Sequence, residues 1–398
     1  LNTSQILKAR AGGDDGYAHN VIISSMTIDG VNTPINSTCA ATGCKDPGNG
    51  YVNAGYYAQW AVWDREYNPN SMPFASINDI IYAFIGFDKD TGNLASLDGN
   101  ADSWSIPVVS KAILQNPYMH AHLSFGGWTN NQVNTAPMFL KLSSSQASMQ
   151  NFATQAVALM KKTKFSGLDI DWEWWSEPEQ APAKQMLSFY KILRAELDKA
   201  GAADGKHYTL TIAVNAGVDR VNAMQDPSNP NSVADYWKQV NTLVDQINLM
   251  SYDYHGAYDN SKPAYFHANY DFANIPLDKQ ADVGQTSGWS IKAVVAAYQA
   301  NGITAKKLVL GLPAYARTMS VSGGTNGGLL QAVSGAGFGD YEAGVLDYKC
   351  LVNPVADKAN GCKNVSAGLS DLVFYNSKAT GTALSAFNTY GRDAMQPW

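Results

Sequence analysis

The stretch Phe165-Ser-Gly-Leu-Asp-Ile-Asp-Trp-Glu173 alternates apolar with acidic residues, and its reading decides the fold. Residues two apart on a β-strand share a face, so Asp169, Asp171 and Glu173 point the same way, about 13 Å from first to last. Three acids on one buried face cannot all ionise cheaply. Repulsion and desolvation raise at least one pKa, and a proton shared along the row keeps the outermost acid, Glu173, protonated. A general acid working near neutral pH needs that state. The competing readings are a metal site and a solvated acidic edge. Acids spaced inside Phe-x-x-Leu-x-Ile-x-Trp make an odd solvated edge, and no nearby histidine completes a transition-metal set.

Working outward from this strand, apolar runs recur at 52–60, 77–87, 119–125, 208–215, 244–252 and 307–314. Between them lie stretches with apolar residues at helical spacing, among them 148–162, 183–200 and 291–300. Strand and helix repeated in this way predict a parallel sheet and an α/β fold of the (β/α)8 TIM-barrel type. A doubly wound sheet is the alternative, but Gly55-Tyr-Tyr-Ala-Gln-Trp60 is not the Gly-rich phosphate turn that usually follows its first strand. Active sites of barrels lie at the C-terminal ends of the strands, and Glu173 is the acid nearest that end.

Seven strands are legible, not eight. The expected organisation is an N-terminal linker or remnant of an upstream module over 1–50 and a catalytic barrel with strands 1–7 over 51–318. A small inserted α+β lobe follows over 319–398, the chain ending before an eighth strand. On this reading a protein partner or a missing C-terminal segment closes the barrel, since an unpaired edge strand is not left exposed without consequence.

The composition narrows the function class. Apolar residues make up 45% and charged residues 16% of the 398, as in a core-bearing protein. A net charge of −6 without any basic run argues against nucleic acid, and no apolar window is long enough to span a membrane. The aromatic content of 11% suits a protein that packs rings against sugars, although core filling explains any single aromatic equally well. The cysteines form two close pairs, Cys39/Cys44 and Cys350/Cys362, without zinc-site spacing. Two short disulfide loops are the more economical reading, free buried thiols the other, and with a chain that starts at Leu1 they point to a secreted protein.

The acidic strand resembles the signature of glycoside hydrolase family 18, the chitinases, whose fourth strand reads Asp-x-x-Asp-x-Asp-x-Glu. Asp169, Asp171 and Glu173 match its last three acids, and Ser166 stands at the first. Ser124-Phe-Gly-Gly127, Met250-Ser-Tyr-Asp253 and Leu310-Gly-Leu-Pro-Ala-Tyr-Ala-Arg317 resemble the family's third, sixth and seventh strands, and 344–348 resembles its inserted lobe.

The resemblance implies hydrolysis of β-1,4-linked N-acetylglucosamine polymers, with chitin or chitooligosaccharide as partner and no cofactor or metal. It implies substrate-assisted, retaining chemistry, an exception to the paired-carboxylate rule. Glu173 then protonates the leaving oxygen while the substrate's own acetamido oxygen attacks the anomeric carbon. Asp171 orients the acetamido N–H, Asp169 buffers Asp171 from below, and Tyr252 with Asp253 faces the acetamido group. Tyr56, Met250, Tyr315 and Arg317 are pocket candidates, and Trp128 matches a position that stacks on sugar beyond the cut. Ser166 replaces what the resemblance makes the most buried acid of the stack, so the tuning of the stack is expected to differ. A catalytically weak chitin-binding subunit and an endo-β-N-acetylglucosaminidase are the rival readings. The histidines, His122 and His267 among them, are expected to be structural.

Overall fold

The segment 165–173 lies in the main parallel sheet. The computed structural model describes residues 50–347 except 131, 175–180, 273–274, 323–327, 338 and 340, together with Asp46, Gly48 and four short strand segments between 25 and 44. Those segments form two hairpins, Ser25–Ile28 with Val31–Pro34 and Cys39–Ala40 with Gly43–Cys44, inside the stretch expected to be a linker.

Seven parallel strands follow: β1 (Ala54–Ala58), β2 (Asp79–Phe87), β3 (His120–Gly126), β4 (Gly167–Asp171), β5 (Thr209–Asn215), β6 (Gln246–Met250) and β7 (Leu308–Leu310). They lie side by side in chain order, β1 at one edge and β7 at the other. This is the parallel sheet expected of a (β/α)8 barrel, with the strands where the apolar runs placed them. The residues in which an eighth strand was sought, and Cys350 and Cys362, lie outside the described ones.

Helices α1 (Gly99–Gln115), α2 (Ala136–Ser143), α3 (Gln146–Thr163), α4 (Ala183–Asp204), α5 (Val218–Ala223), α6 (Tyr236–Leu243) and α7 (Ile291–Ala300) connect the strands. Their ends follow local chemistry. Ser145 accepts from the Ser148 amide at the start of α3, whose end is marked by Lys164 at φ 65°. Ser290 caps α7 in the same way.

The main core lies between sheet and helices. Leu168, Ile170 and Trp172 of the acidic segment point into it, with Phe125, Phe152 and Phe189. Phe139 stacks on Trp172 at 4.9 Å and 17° between the rings. Burying these faces supplies most of the favourable energy of folding, at about 25 cal/mol per Å² of apolar surface.

After β7 the chain forms two antiparallel pairs, β8 (Tyr315–Arg317) with β11 (Val345–Asp347) and β9 (Met319–Val321) with β10 (Val333–Ala336). Tyr315 and Arg317, read as the end of the seventh barrel strand, therefore stand on the first strand of the lobe. The long segment after β6 packs beneath it through Ala264, Met319 and Val333. No helix among the described residues is long and apolar enough to cross a membrane.

Candidate active site

The other face of the sheet is polar. β4 turns Gly167, Asp169 and Asp171 inward, and its neighbours contribute Ser124, Thr211 and Asn248. Asp169 is fully buried. Its Oδ2 accepts from Ser124 Oγ at 2.7 Å and Tyr56 Oη at 3.3 Å, and its Oδ1 from Thr211 Oγ1 at 2.5 Å and Asn248 Nδ2 at 3.4 Å. Burial raises its pKa, and the hydroxyl donors pull it partly back.

Asp171 is treated differently. It is buried, and its Oδ1 has no hydrogen-bond partner among the described residues. Burial first, then the charges of Glu173 and Asp169, push its carboxyl well above the usual range. The hydrogen-bonded strand ends here, and Glu173 lies two residues beyond it. Burial, with the nearby charge of Asp253, raises Glu173 to about 7. A carboxyl with that pKa carries a proton in much of the population at neutrality, as a general acid must.

Asp253 closes the upper side of the site at a left-handed residue, φ 59°. Burial would raise its pKa, but hydrogen bonds from Arg317 and His267 and the Arg317 charge hold it well below the carboxylate range. Arg317 grips it through Nε at 2.8 Å and Nη2 at 2.6 Å. The expected role of Arg317 as a pocket residue is thus sharpened to that of the partner that keeps Asp253 ionised. Tyr252 packs edge-on to Tyr315 at 6.2 Å, and burial with the charge of Asp171 pushes its hydroxyl pKa upward. Met250 ends β6 opposite Asn215 of β5.

Tyr56 is 43% exposed, yet its hydroxyl turns inward to Asp169 and accepts from Asn248 Nδ2 at 3.3 Å. Trp128 follows Gly126-Gly127 and is half exposed. Trp60 is also exposed and stacks on Phe84. Trp63 instead bonds Asp98 at 2.6 Å near α1, and Trp174 is buried with Arg220 over its ring, so these two are packing residues. Trp175 lies outside the described residues. No cluster of metal-ligating side chains occurs among the described residues.

Two expectations need correction. Ser166 is not a member of the acid stack. It shares strand parity with Leu168 and Ile170, and its Oγ accepts from the Ala121 amide at 3.3 Å. Replacing an acid there leaves the inward row untouched. His267, taken as structural, touches the site: its Nδ1 lies 3.5 Å from Asp253 Oδ1. Its separation from Asp253 by fourteen residues of irregular chain left no periodic signal to find it by.

The chain matches Glycosyl hydrolases family 18 over residues 52–386. It is 30% identical over 383 residues to Chitinase 1 of Aphanocladium album, covering 90% of this chain and 82% of that protein. It is 31% identical over 383 residues to Endochitinase 1 of Metarhizium robertsii, covering 89% and 82%. Among solved structures, an immunomodulatory active chitinase from Trichuris suis superposes with a TM-score of 0.63 at 22% identity, over 77% of this chain and 78% of that one. A chitinase of Cycas revoluta in complex with (GlcNAc)3 gives 0.60 at 22%, over 76% and 80%. Fold, acidic strand and relatives agree, and the chain belongs to glycosyl hydrolases family 18.

Proposed function

We propose that this protein is a chitinase that hydrolyses β-1,4-linked N-acetylglucosamine polymers with retention, using Glu173 as general acid and base. The observation that carries this reading is the pairing of two unlike carboxyls. Asp171 presents a buried oxygen with no partner among the described residues, and Glu173 next to it is raised to about 7.

Burying an acceptor without a donor costs about 1–3 kcal/mol, a penalty that a substrate acetamido N–H relieves on binding. Oriented in this way, the acetamido oxygen attacks the anomeric carbon as the glycosidic bond breaks. The leaving oxygen takes the Glu173 proton. The carboxylate so formed then removes a proton from water, whose oxygen opens the oxazolinium ion and restores the hemiacetal. Asp171 offsets the positive charge of the intermediate, and Asp169 stabilises Asp171 from below. Tyr252 and the Asp253–Arg317 pair line the opposite wall, with Tyr56, Met250 and Tyr315 shaping the pocket and Trp128 stacking beyond the cut. Chitinases among the relatives, and a related structure holding (GlcNAc)3, support the substrate class.

Replacing Glu173 by Gln keeps the shape and removes the transferable proton. Turnover of a chitohexaose should fall by about 10³-fold or more while binding persists. Turnover within tenfold of the parent would sink the assignment. We also place the protein outside the cell. Cys39 and Cys44 are register partners in their hairpin, which supports one short disulfide loop there. Peptide mapping without reduction tests it.

A further inference from the structure

A buried His–Asp pair stands at the foot of the acid row, outside the reaction steps proposed above. His122 of β3 and Asp79 of β2 meet at 2.8 Å, with side chains only 3% and 4% exposed. The other ring nitrogen, Nε2, is 2.7 Å from Thr209 Oγ1. That hydroxyl also lies 3.2 Å from the Ser166 carbonyl, so it can donate there and accept from the ring. Nδ1 faces a carboxylate. A carboxylate at one ring nitrogen and a hydroxyl able to accept at the other are surroundings that suit an imidazolium.

The ring occupies a slot that Gly167 leaves open. A Cβ at Gly167 would lie 2.8 Å from the ring's Cδ2 and 2.2 Å from the Thr209 carbonyl oxygen. Gly167 is the inward position just before Asp169, so the ring takes the place of the next side chain in the row. Read along the interior, the order is His122, Asp169, Asp171, Glu173. The cation sits next to the most buried acid.

We propose that His122, held as a cation by Asp79, is a positioning residue for catalysis: its charge keeps Asp169 ionised, so that the shared proton stays on Asp171 and Glu173, where the reaction uses it. The inference rests on the reading of Glu173 as proton donor. Several groups face the pair. Asp169 comes from β4, His120 from β3 itself and Asp245 from just before β6, while Thr209 of β5 and Gln246 of β6 add neutral dipoles. Burial opposes the ring's charge, but Asp79 above all overcomes it and raises the pKa. At Asp169 the pull of His122 exceeds the opposing push of Asp79.

Two measurements test this. In the intact protein, nitrogen NMR of the imidazoles should find His122 still doubly protonated at a pH where a free imidazole is largely neutral. A neutral ring at about pH 6 overturns the proposal, whatever the activity. The second measurement is the pH dependence of kcat/KM for His122→Gln, Asp79→Asn and the double variant. Losing the cation raises the pKa of the carboxylates it faces, so the acidic limb should move up by about one pH unit in each single variant, and no further in the double. A limb that stays in place in a folded variant, or moves down, overturns it. Asp79→Asn keeps the ring and its bond to Thr209, and carries the test if His122→Gln does not fold. An imidazolium found together with an active Glu173→Gln would instead remove the proton-donor reading alone.

Discussion

Asp253 accepts two parallel hydrogen bonds from Arg317, at 2.8 and 2.6 Å, and so remains an anion beside a carboxyl that must hold its proton. The arrangement resolves a conflict. Two facing carboxylates would share protons unpredictably, but a bidentate arginine commits one of them to ionisation. The residual field of that anion then adds to burial in raising Glu173.

Asp253→Asn removes this field and, among the described residues, leaves Arg317 only its 3.8 Å ion pair with Glu342, and both changes favour ionised Glu173. Its pKa should fall below the present value of about 7. The general acid must be protonated, so the basic limb of kcat/KM should move to lower pH by about one unit. The pH profile on a soluble chitooligosaccharide checks this, and an upward shift contradicts it.

Glu173 also carries a stability cost. Its carboxyl is raised from 4.5 to about 7 in the folded protein, so the native state binds the proton more tightly than the unfolded chain. The associated stability is fully present below pH 4.5 and is lost as pH rises through about 7. Glu173→Gln cannot ionise, and should therefore unfold about 3 °C higher than the parent at about pH 8 and at nearly the same temperature at about pH 4. Calorimetry at the two pH values decides it, and an equal Tm at the higher one argues against a raised carboxyl.

Gly126 is where β3 meets the catalytic strand. Its φ is +118°, and an added Cβ would stand 2.0 Å from the Asp171 carbonyl oxygen and 2.9 Å from Phe139. The next amide, Gly127 N, donates to that carbonyl at 2.9 Å. Gly126→Ala should cost about 2–3 kcal/mol in urea unfolding and reduce kcat more than it raises KM, because Asp171 is displaced. A variant of parental stability would show that the backbone has room to give.

Much of this site was legible because a strand repeats every two residues and each apolar run was long enough to mark its strand. The acids of β4, Ser124 and Tyr252-Asp253 are all read within single segments. The misreading of Ser166 came from treating a motif position as a member of the row, when its parity with Leu168 places it on the helix side. The Asp79–His122 pair escaped for another reason. Its members sit 43 residues apart on different strands, so no local pattern joins them. Parity did hold a clue: His122 shares a face with Ser124, and Gly167 with Asp169. Arg317 was found as a residue but not as a partner, since the lobe strand that aims it at Asp253 follows 64 positions later in the chain.

The order of strands in the sheet has a consequence for how the protein comes into being. Each strand is bonded to the one before it, so the sheet can grow by accretion as the chain is made. The Asp169 cluster cannot. Tyr56 from the first strand must meet Asn248, 192 residues later, and both must reach the same carboxylate. The secondary structure is local, but the Asp169 cluster joins residues from the first and the sixth strand, so it depends on contacts that no single segment of the chain can make.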